Sequence, residues 1–200
     1  MSKIRLKFSK TGMGKYISHL DLLRTFTRAI HRAGLPVRYS QGFNPHQLIT
    51  FSLPLALGVT SETEFVDIDF EDGTDKAEVV EKLNLNLTPD IRILKASVPE
   101  CKANDIASAR YIVTLGLLKS VSAEKLQEFF DKEDIPAVKK TKRGEKEINL
   151  REYIKSYELK TLSDKTAEFE VILSAGGESN IKPDILVAKL CEFLETVVKS

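Results

Sequence analysis

The chain has 200 residues, of which 42% are hydrophobic and 30% charged, a composition typical of a folded protein rather than a disordered one. No run of 18 apolar residues occurs, so the sequence predicts no membrane-spanning helix and no membrane partner. The two cysteines, Cys101 and Cys191, form no C-x-x-C pair, which argues against an iron–sulfur cluster or a structural zinc ion in this chain. With no signal-peptide pattern at the start, we expect a cytoplasmic protein.

The net charge of +1 conceals a strong asymmetry along the chain. Residues 1–50 carry nine Lys or Arg and a single acid, whereas residues 51–110 carry six basic and twelve acidic residues. A positive segment of this kind indicates a surface that binds anions. The alternative is a solvated face whose charges pair with the acidic segment that follows.

In the first half of the chain, strand and helix patterns alternate. Residues 3–10 alternate apolar and basic side chains like a half-buried strand. Residues 18–34 form a helical pattern that begins with a Ser18–Asp21 capping box and ends at Gly34. We expect its stripe of Leu23, Phe26, Ile30 and Ala33 to face the core. The later elements are strands at 48–55 and 63–70, a helix at 74–87 capped by Thr74 or Asp75, and a strand at 91–98.

The second half repeats the pattern without an evident last strand. Residues 98–109 read as a linker, and "KRGEKE" (142–147) as a charged hairpin. "SAGGESNIKPD" (174–184) is either a phosphate-binding nest or, as we favour, a simple loop. The remaining elements are strands at 110–118, 136–141, 153–160 and 167–174 and helices at 122–132 and 182–198. The sequence thus predicts an α+β fold of tandem ferredoxin-like (split βαβ) units with antiparallel sheets, one at residues 1–100 and one at 108–200.

The first helix carries a basic face. Arg24, Arg28, His31 and Arg32 lie at i, i+4, i+7 and i+8, and Arg38 follows shortly after the helix. Guanidinium groups suit phosphate because they donate two hydrogen bonds at once. The alternative is an ordinary polar helix face.

The turn "YSQGFNPH", residues 39–46, is unusually rich in functional side chains. Tyr39, Phe43 and Asn44 can stack on nucleobases or bond their edges. His46 is either a general acid or base or a residue that caps a backbone carbonyl. We expect the turn to lie against the N-terminal end of the first helix, with His46 within reach of His19 or Asp21. The histidines lack any metal-ligand spacing, so we expect no metal site.

Two segments, "RLKFSKTG" and "ISHLDLLRTFTRAIHRAGLPVRYSQGFNPHQLITFSLPLALGVTSETEF", resemble the bacterial radical-SAM-associated family of unknown function. Gln47 stands where the family's motif has proline. The positions that carry the resemblance are His19, Asp21, Arg24, Arg32, Tyr39, Ser40, Gly42, Phe43, Asn44, Pro45 and His46.

The resemblance implies a context rather than a reaction. Members of that family occur free or fused behind a radical SAM domain, near genes for a ribonuclease and ribosomal proteins. It therefore implies a radical SAM protein as partner, which would carry an iron–sulfur cluster and S-adenosylmethionine, and RNA or the ribosome as a second partner. This chain lacks the C-x-x-x-C-x-x-C cluster motif, so we expect no cofactor of its own.

Three functions follow from these observations. The first is a non-catalytic RNA-binding or substrate-presenting partner of a radical SAM enzyme, in which Arg24, Arg28, Arg32 and Arg38 hold phosphates and Tyr39, Phe43 and Asn44 contact bases. The second is a metal-independent ribonuclease of the tandem ferredoxin-like type, with His46 or His19 as base and Tyr39 as helper. The third is a protein–protein adaptor. The sequence favours a protein that is not an enzyme on its own.

Overall fold

The computed structural model describes residues 2–141, 144–176 and 179–195. The chain divides into two compact units, Met1–Asp105 and Ile106–Ser200. Both mix helices with antiparallel sheets, which confirms the predicted α+β class. Within the described ranges, no helix is long and apolar enough to cross a membrane.

The first unit is a four-stranded sheet with two helices. Its strands follow the order β2-β3-β1-β4, and each neighbouring pair is antiparallel. Alternate residues of β1, including Leu6 and Phe8, are buried with Phe26 of α1 and Leu83 of α2 in one core. The elements are β1 (Ser2–Lys10), α1 (His19–Arg32), β2 (Ile49–Phe51), β3 (Ser61–Phe70), α2 (Lys76–Asn86) and β4 (Ile91–Ser97).

Helix α1 begins and ends as predicted, but its buried stripe is rotated. The hydroxyl of Ser18 accepts a hydrogen bond from the backbone N–H of Asp21, which confirms Ser18 as the cap, and it donates a hydrogen bond to the Asp21 carboxylate. Gly34 ends the helix with φ of +61°, a conformation that favours glycine. The buried residues are Leu22, Phe26, Ala29 and Ile30, whereas Leu23 and Ala33 are only half-buried. Leu23 therefore lies at the edge of the core, where it is available to a surface groove.

Two predicted elements of the first unit have different limits in the structure. Strand β2 pairs with β3 only over Ile49–Phe51, followed by one more hydrogen bond from the N–H of Ser52 to the carbonyl of Phe65. Strand β3 begins earlier than predicted, at Ser61. Helix α2 has the predicted Asp75 cap, whose carboxylate accepts hydrogen bonds from the N–H groups of Ala77 and Glu78.

The second unit has a three-stranded antiparallel sheet, in the order β5-β9-β8, and a separate β6–β7 hairpin. Phe130, Phe169, Leu186 and Leu190 are buried in its core. The elements are β5 (Ser108–Gly116), α3 (Ala123–Asp131), β6 (Pro136–Thr141), β7 (Gly144–Asn149), β8 (Ile154–Leu162), β9 (Thr166–Ser174) and α4 (Pro183–Phe193).

Parts of three sequence predictions lie outside the described residues. These parts are residues 142–143 of the charged hairpin, residues 177–178 of the glycine-containing loop and residues 196–198 of the last predicted helix. The rest of the "KRGEKE" segment belongs to β7, which continues to Asn149 and pairs with β6 along its length.

Candidate functional site

A groove of about 670 Å³ lies in the first unit between the later turns of α1 and the segment that leads into β2. Helix α1 contributes five of the side chains that line the groove, and the segment from Tyr39 to Ile49 contributes the other five. The lining residues are Leu23, Thr27, Arg28, His31, Arg32, Tyr39, Pro45, His46, Gln47 and Ile49. The groove thus joins part of the basic helix face to part of the polar turn.

Helix α1 supplies the basic wall. Arg28, His31 and Arg32 are exposed and lie at i, i+3 and i+4, so they share one face of the helix. The guanidinium of Arg32 donates a hydrogen bond to the backbone carbonyl of Asn86, at the end of α2. This bond ties Arg32 to a second element. The charge of Arg28 acts instead on its own helix, where it helps to lower the pKa of Asp21.

The turn is held by a small set of hydrogen bonds around Ser40 and His46. The backbone N–H of Ser40 donates to the carbonyl of His46 over 2.8 Å, and the backbone N–H of His46 donates to the Ser40 hydroxyl over 3.1 Å. The Ser40 hydroxyl also lies 2.9 Å from Nδ1 of the His46 ring. In the tautomer in which Nδ1 accepts that bond, Nε2 carries the ring proton and can donate to a ligand. The contact therefore orients an imidazole at the rim of the groove.

Gln47 is the most buried of the residues that line the groove. The residue is only 7% exposed, and its Nε2 donates weakly to the carbonyl of Thr27 at 3.4 Å and to the hydroxyl of Tyr39 at 3.5 Å. The bond to Thr27 joins the turn to the middle of α1. Oε1 of Gln47 is buried and has no hydrogen-bond partner in the described part of the chain.

The groove differs from the site that the sequence predicted. We expected the turn at the N-terminal end of α1 with His46 near His19 or Asp21, but Gln47 bonds Thr27 and the turn shares its groove with α1 residues from Leu23 to Arg32. That expectation is wrong. The ring of His19 instead packs edge-to-face on Phe51, with the centroids 5.4 Å apart.

The carboxylate of Asp21 is engaged locally at the start of the helix. Hydrogen bonds from Ser18 and then Arg24 lower the pKa of Asp21 below its usual value. Arg24 approaches this carboxylate at 3.0 Å in an exposed ion pair, so one predicted phosphate ligand already has an acidic neighbour.

The predicted site residues divide into two sets. Arg28, Arg32, Tyr39 and His46 line the groove. The others lie outside its lining in the described structure: these are His19, Arg24, Arg38, Phe43 and Asn44. Phe43 is fully exposed at the tip of the turn.

Sequence reasoning missed Gln47 and Thr27 as groove residues, and it placed His31 on the basic face without giving it a role. A role for His31 could have been predicted from that shared face with Arg28 and Arg32. No sequence signal shows that the amide of Gln47 is buried against the helix, because that contact joins residues twenty positions apart.

The electrostatics of the groove favour an anion. Its described lining includes two arginines and two histidines but no Asp or Glu. A more open depression of about 770 Å³ in the second unit shows the opposite character, since Glu124, Glu128 and Asp131 line it with Lys132. Of the two, only the groove can attract a phosphate. No group of three His, Cys, Asp or Glu side chains suited to a metal ion occurs among the residues described.

The sequence model of a bacterial family, described as "Uncharacterized protein conserved in bacteria (DUF2344)", matches residues 3–183. The comparison with curated proteins finds no match. The family match includes the whole groove and reaches into the first turn of α4. The chain therefore belongs to this bacterial family.

Proposed function

We propose that the groove binds single-stranded RNA and that the protein is a non-catalytic subunit which presents this RNA to a radical SAM enzyme. The observation that carries the RNA part is the juxtaposition of Arg28, Arg32 and Tyr39 around one groove. Single-stranded RNA offers both groups that such a groove recognises, a phosphate and an unstacked base.

The basic wall of α1 binds the phosphates in this proposal. Arg28 and Arg32 lie one helical turn apart, about 6 Å along the axis, which is similar to the spacing of successive phosphates in an extended strand. Arg24 continues the same face toward the start of the helix, and Arg38 follows the helix in the chain, directly before Tyr39. These two residues would contact the strand on either side of the groove.

The base enters the groove itself. Tyr39 is 48% exposed and offers a ring face on which a base can stack, while Leu23, Pro45 and Ile49 supply an apolar surface. A volume of about 670 Å³ lies within the range of small-molecule sites, roughly 300–1,000 Å³, and suffices for one nucleotide. Phe43 and Asn44, exposed at the tip of the turn, would contact a neighbouring base.

We also propose that both units are ferredoxin-like, within the predicted ranges 1–100 and 108–200. The order β2-β3-β1-β4 with antiparallel neighbours supports this assignment for the first unit. In the second unit, β5, β8 and β9 would be the first three strands, with the β6–β7 hairpin inserted and the fourth strand lacking. Sheets of this kind commonly display single-stranded RNA, and here the turn before β2 would do so.

The proposal of a radical SAM partner rests on the resemblance of residues 3–70 to the radical-SAM-associated family. In this proposal the partner holds the iron–sulfur cluster and S-adenosylmethionine and performs the reaction. The present chain contributes the binding groove, and its role is to hold one nucleotide in an extruded position.

A second candidate, metal-independent RNA cleavage, is favoured by one observation. His31 and His46 both line the groove together with Arg28. Two imidazoles can take the proton of a 2′-hydroxyl and protonate the leaving 5′-oxygen, while a cation stabilises the charged phosphorus centre. His31 replaces His19 in this candidate, because His19 packs on Phe51.

The proposal predicts that RNA binding weakens steeply with salt. For a single strand, the log–log slope of affinity against salt should fall by about 0.7 for each lost phosphate contact. Arg28→Ala should therefore reduce the slope by that amount, whatever the RNA sequence. Filter binding of end-labelled RNA across a salt series measures both quantities, with Arg92→Ala as the matched control on β4, outside the groove.

The same incubation separates the three functions. Retention of intact RNA supports the binding subunit, and new 2′,3′-cyclic phosphate ends support the ribonuclease. Failure to retain RNA at low salt, together with capture of a protein partner, would support the adaptor and contradict the proposal. If Arg92→Ala changed the salt slope as much as Arg28→Ala does, the phosphates would bind elsewhere on the first unit.

A further inference from the structure

The orphaned oxygen of Gln47 bears on which base the groove selects. Gln47 is more than nine-tenths buried, lines the groove and carries a side-chain oxygen with no hydrogen-bond partner in the described structure. A buried polar atom without a partner is unfavourable, and most such atoms in folded proteins are paired. Oε1 of Gln47 is therefore the polar atom of the groove that gains most from a ligand.

The orientation of the amide is fixed by its neighbours. The carbonyl of Thr27 can only accept a hydrogen bond, so the amide atom facing it must be the donor Nε2. The second N–H of this nitrogen faces the hydroxyl of Tyr39. Both donors of the amide thus have partners within the protein, and its remaining capacity is that of an acceptor with two lone pairs.

We propose that Gln47 selects a base whose edge presents two adjacent N–H donors, which among the common bases is guanine. This inference rests on the proposed function, since it names the base that the RNA-binding groove prefers. The N1–H and the 2-amino group of guanine both donate toward Oε1. Adenine and cytosine can offer Oε1 one amino N–H beside a ring acceptor, and uracil one N–H between two carbonyls, so each supplies a single donor with a lone pair next to it.

Tyr39 controls access to this acceptor. Oε1 is covered in the free groove, and the hydrogen-bond partners that hold the same amide through Nε2 are the backbone carbonyl of Thr27, within α1, and the hydroxyl of Tyr39. The helix backbone is held by its own hydrogen bonds, whereas Tyr39 is half exposed and its contact with Nε2 is long at 3.5 Å. The tyrosine swings outward, stacks on the entering base and uncovers Oε1.

The experiment compares oligouridylates that carry one central guanosine, inosine or adenosine, bound to the full chain. Guanosine should bind about tenfold more tightly than adenosine, the equivalent of one well-made hydrogen-bonding contact. Inosine lacks the 2-amino group but keeps N1–H, so its affinity should lie between the two. Gln47→Met, which retains length without polar atoms, should abolish the order, whereas Gln41→Met in the exposed part of the turn should retain it.

The outcomes separate this inference from the proposed function. Binding of all oligonucleotides with equal affinity overturns the role of Gln47 and leaves RNA binding intact. An order that persists in Gln47→Met also overturns it. Binding of none of the oligonucleotides contradicts both proposals. Equal affinity for the guanosine and inosine oligonucleotides on the unchanged protein overturns the inference even where Gln47→Met does not fold.

Discussion

Replacing Phe26 with alanine should lower the free energy of unfolding by about 3–5 kcal/mol, the cost of deleting a fully buried aromatic side chain. Phe26 is 0% exposed and contacts the rings of Phe8 and Phe51 edge-to-face, with centroids 5.2 and 5.4 Å away. The substitution removes the ring contacts of α1 with Phe8 of β1 and Phe51 of β2 and leaves a cavity between the helix and the sheet. It thereby tests the packing that positions the basic wall of the groove.

Urea unfolding followed by circular dichroism measures this change, since the midpoint should fall while the slope is retained. Leu20→Ala, on the exposed side of the same helix, is the matched control and should change stability by less than about 0.5 kcal/mol. A loss of less than about 1 kcal/mol in Phe26→Ala would contradict the packing of α1 described above.

Replacing Tyr39 with alanine should weaken RNA binding by about 1–3 kcal/mol, or roughly 5- to 150-fold, because one stacked base loses its platform. The salt slope should stay nearly unchanged, since no phosphate contact is lost. This combination distinguishes Tyr39 from Arg28, whose loss changes the slope. Filter binding at several salt concentrations measures both the affinity and the slope.

Tyr16→Ala is the matched control for this experiment. Tyr16 is also an exposed tyrosine of the first unit, but it belongs to the short 3-10 helix before α1 and does not line the groove. Equal losses of RNA affinity in Tyr39→Ala and Tyr16→Ala would show that exposed tyrosines contribute to binding whether or not they line the groove. A loss in Tyr39→Ala accompanied by a lower salt slope would instead indicate that the variant disturbs the basic wall.

Local sequence signals predicted most elements of the first unit. Strand β1, the Ser18 cap and the stop at Gly34 depend on residues close together in the chain, and all three are confirmed. Strand β7 was not recognised as a strand, because its Glu145–Glu147 segment is charged and exposed and has no apolar alternation. The pairing of β7 with β6 depends on contacts between the two strands, which the pattern of residue types does not show.

The sequence predicted only part of the candidate site, because local patterns show which residues share a helix face but not which distant segments meet. Helical periodicity placed Arg28 and Arg32 on one face without reference to the rest of the fold. Which end of α1 receives the turn depends instead on the contact between Gln47 and Thr27, twenty residues apart. The sequence paired His46 with His19 or Asp21, whereas in the structure His19 packs on Phe51 and the histidine that lines the groove with His46 is His31.

The most direct test of the central claim is to map where RNA contacts the protein. Single-stranded RNA carrying 4-thiouridine, crosslinked to the full chain by light and analysed by mass spectrometry, identifies the contacting peptides. The account predicts crosslinks to Tyr39 and to the peptide that contains Pro45 and His46, with loss of the Tyr39 crosslink in Tyr39→Ala. Crosslinks confined to the second unit, or none at RNA concentrations that saturate filter binding, would contradict it.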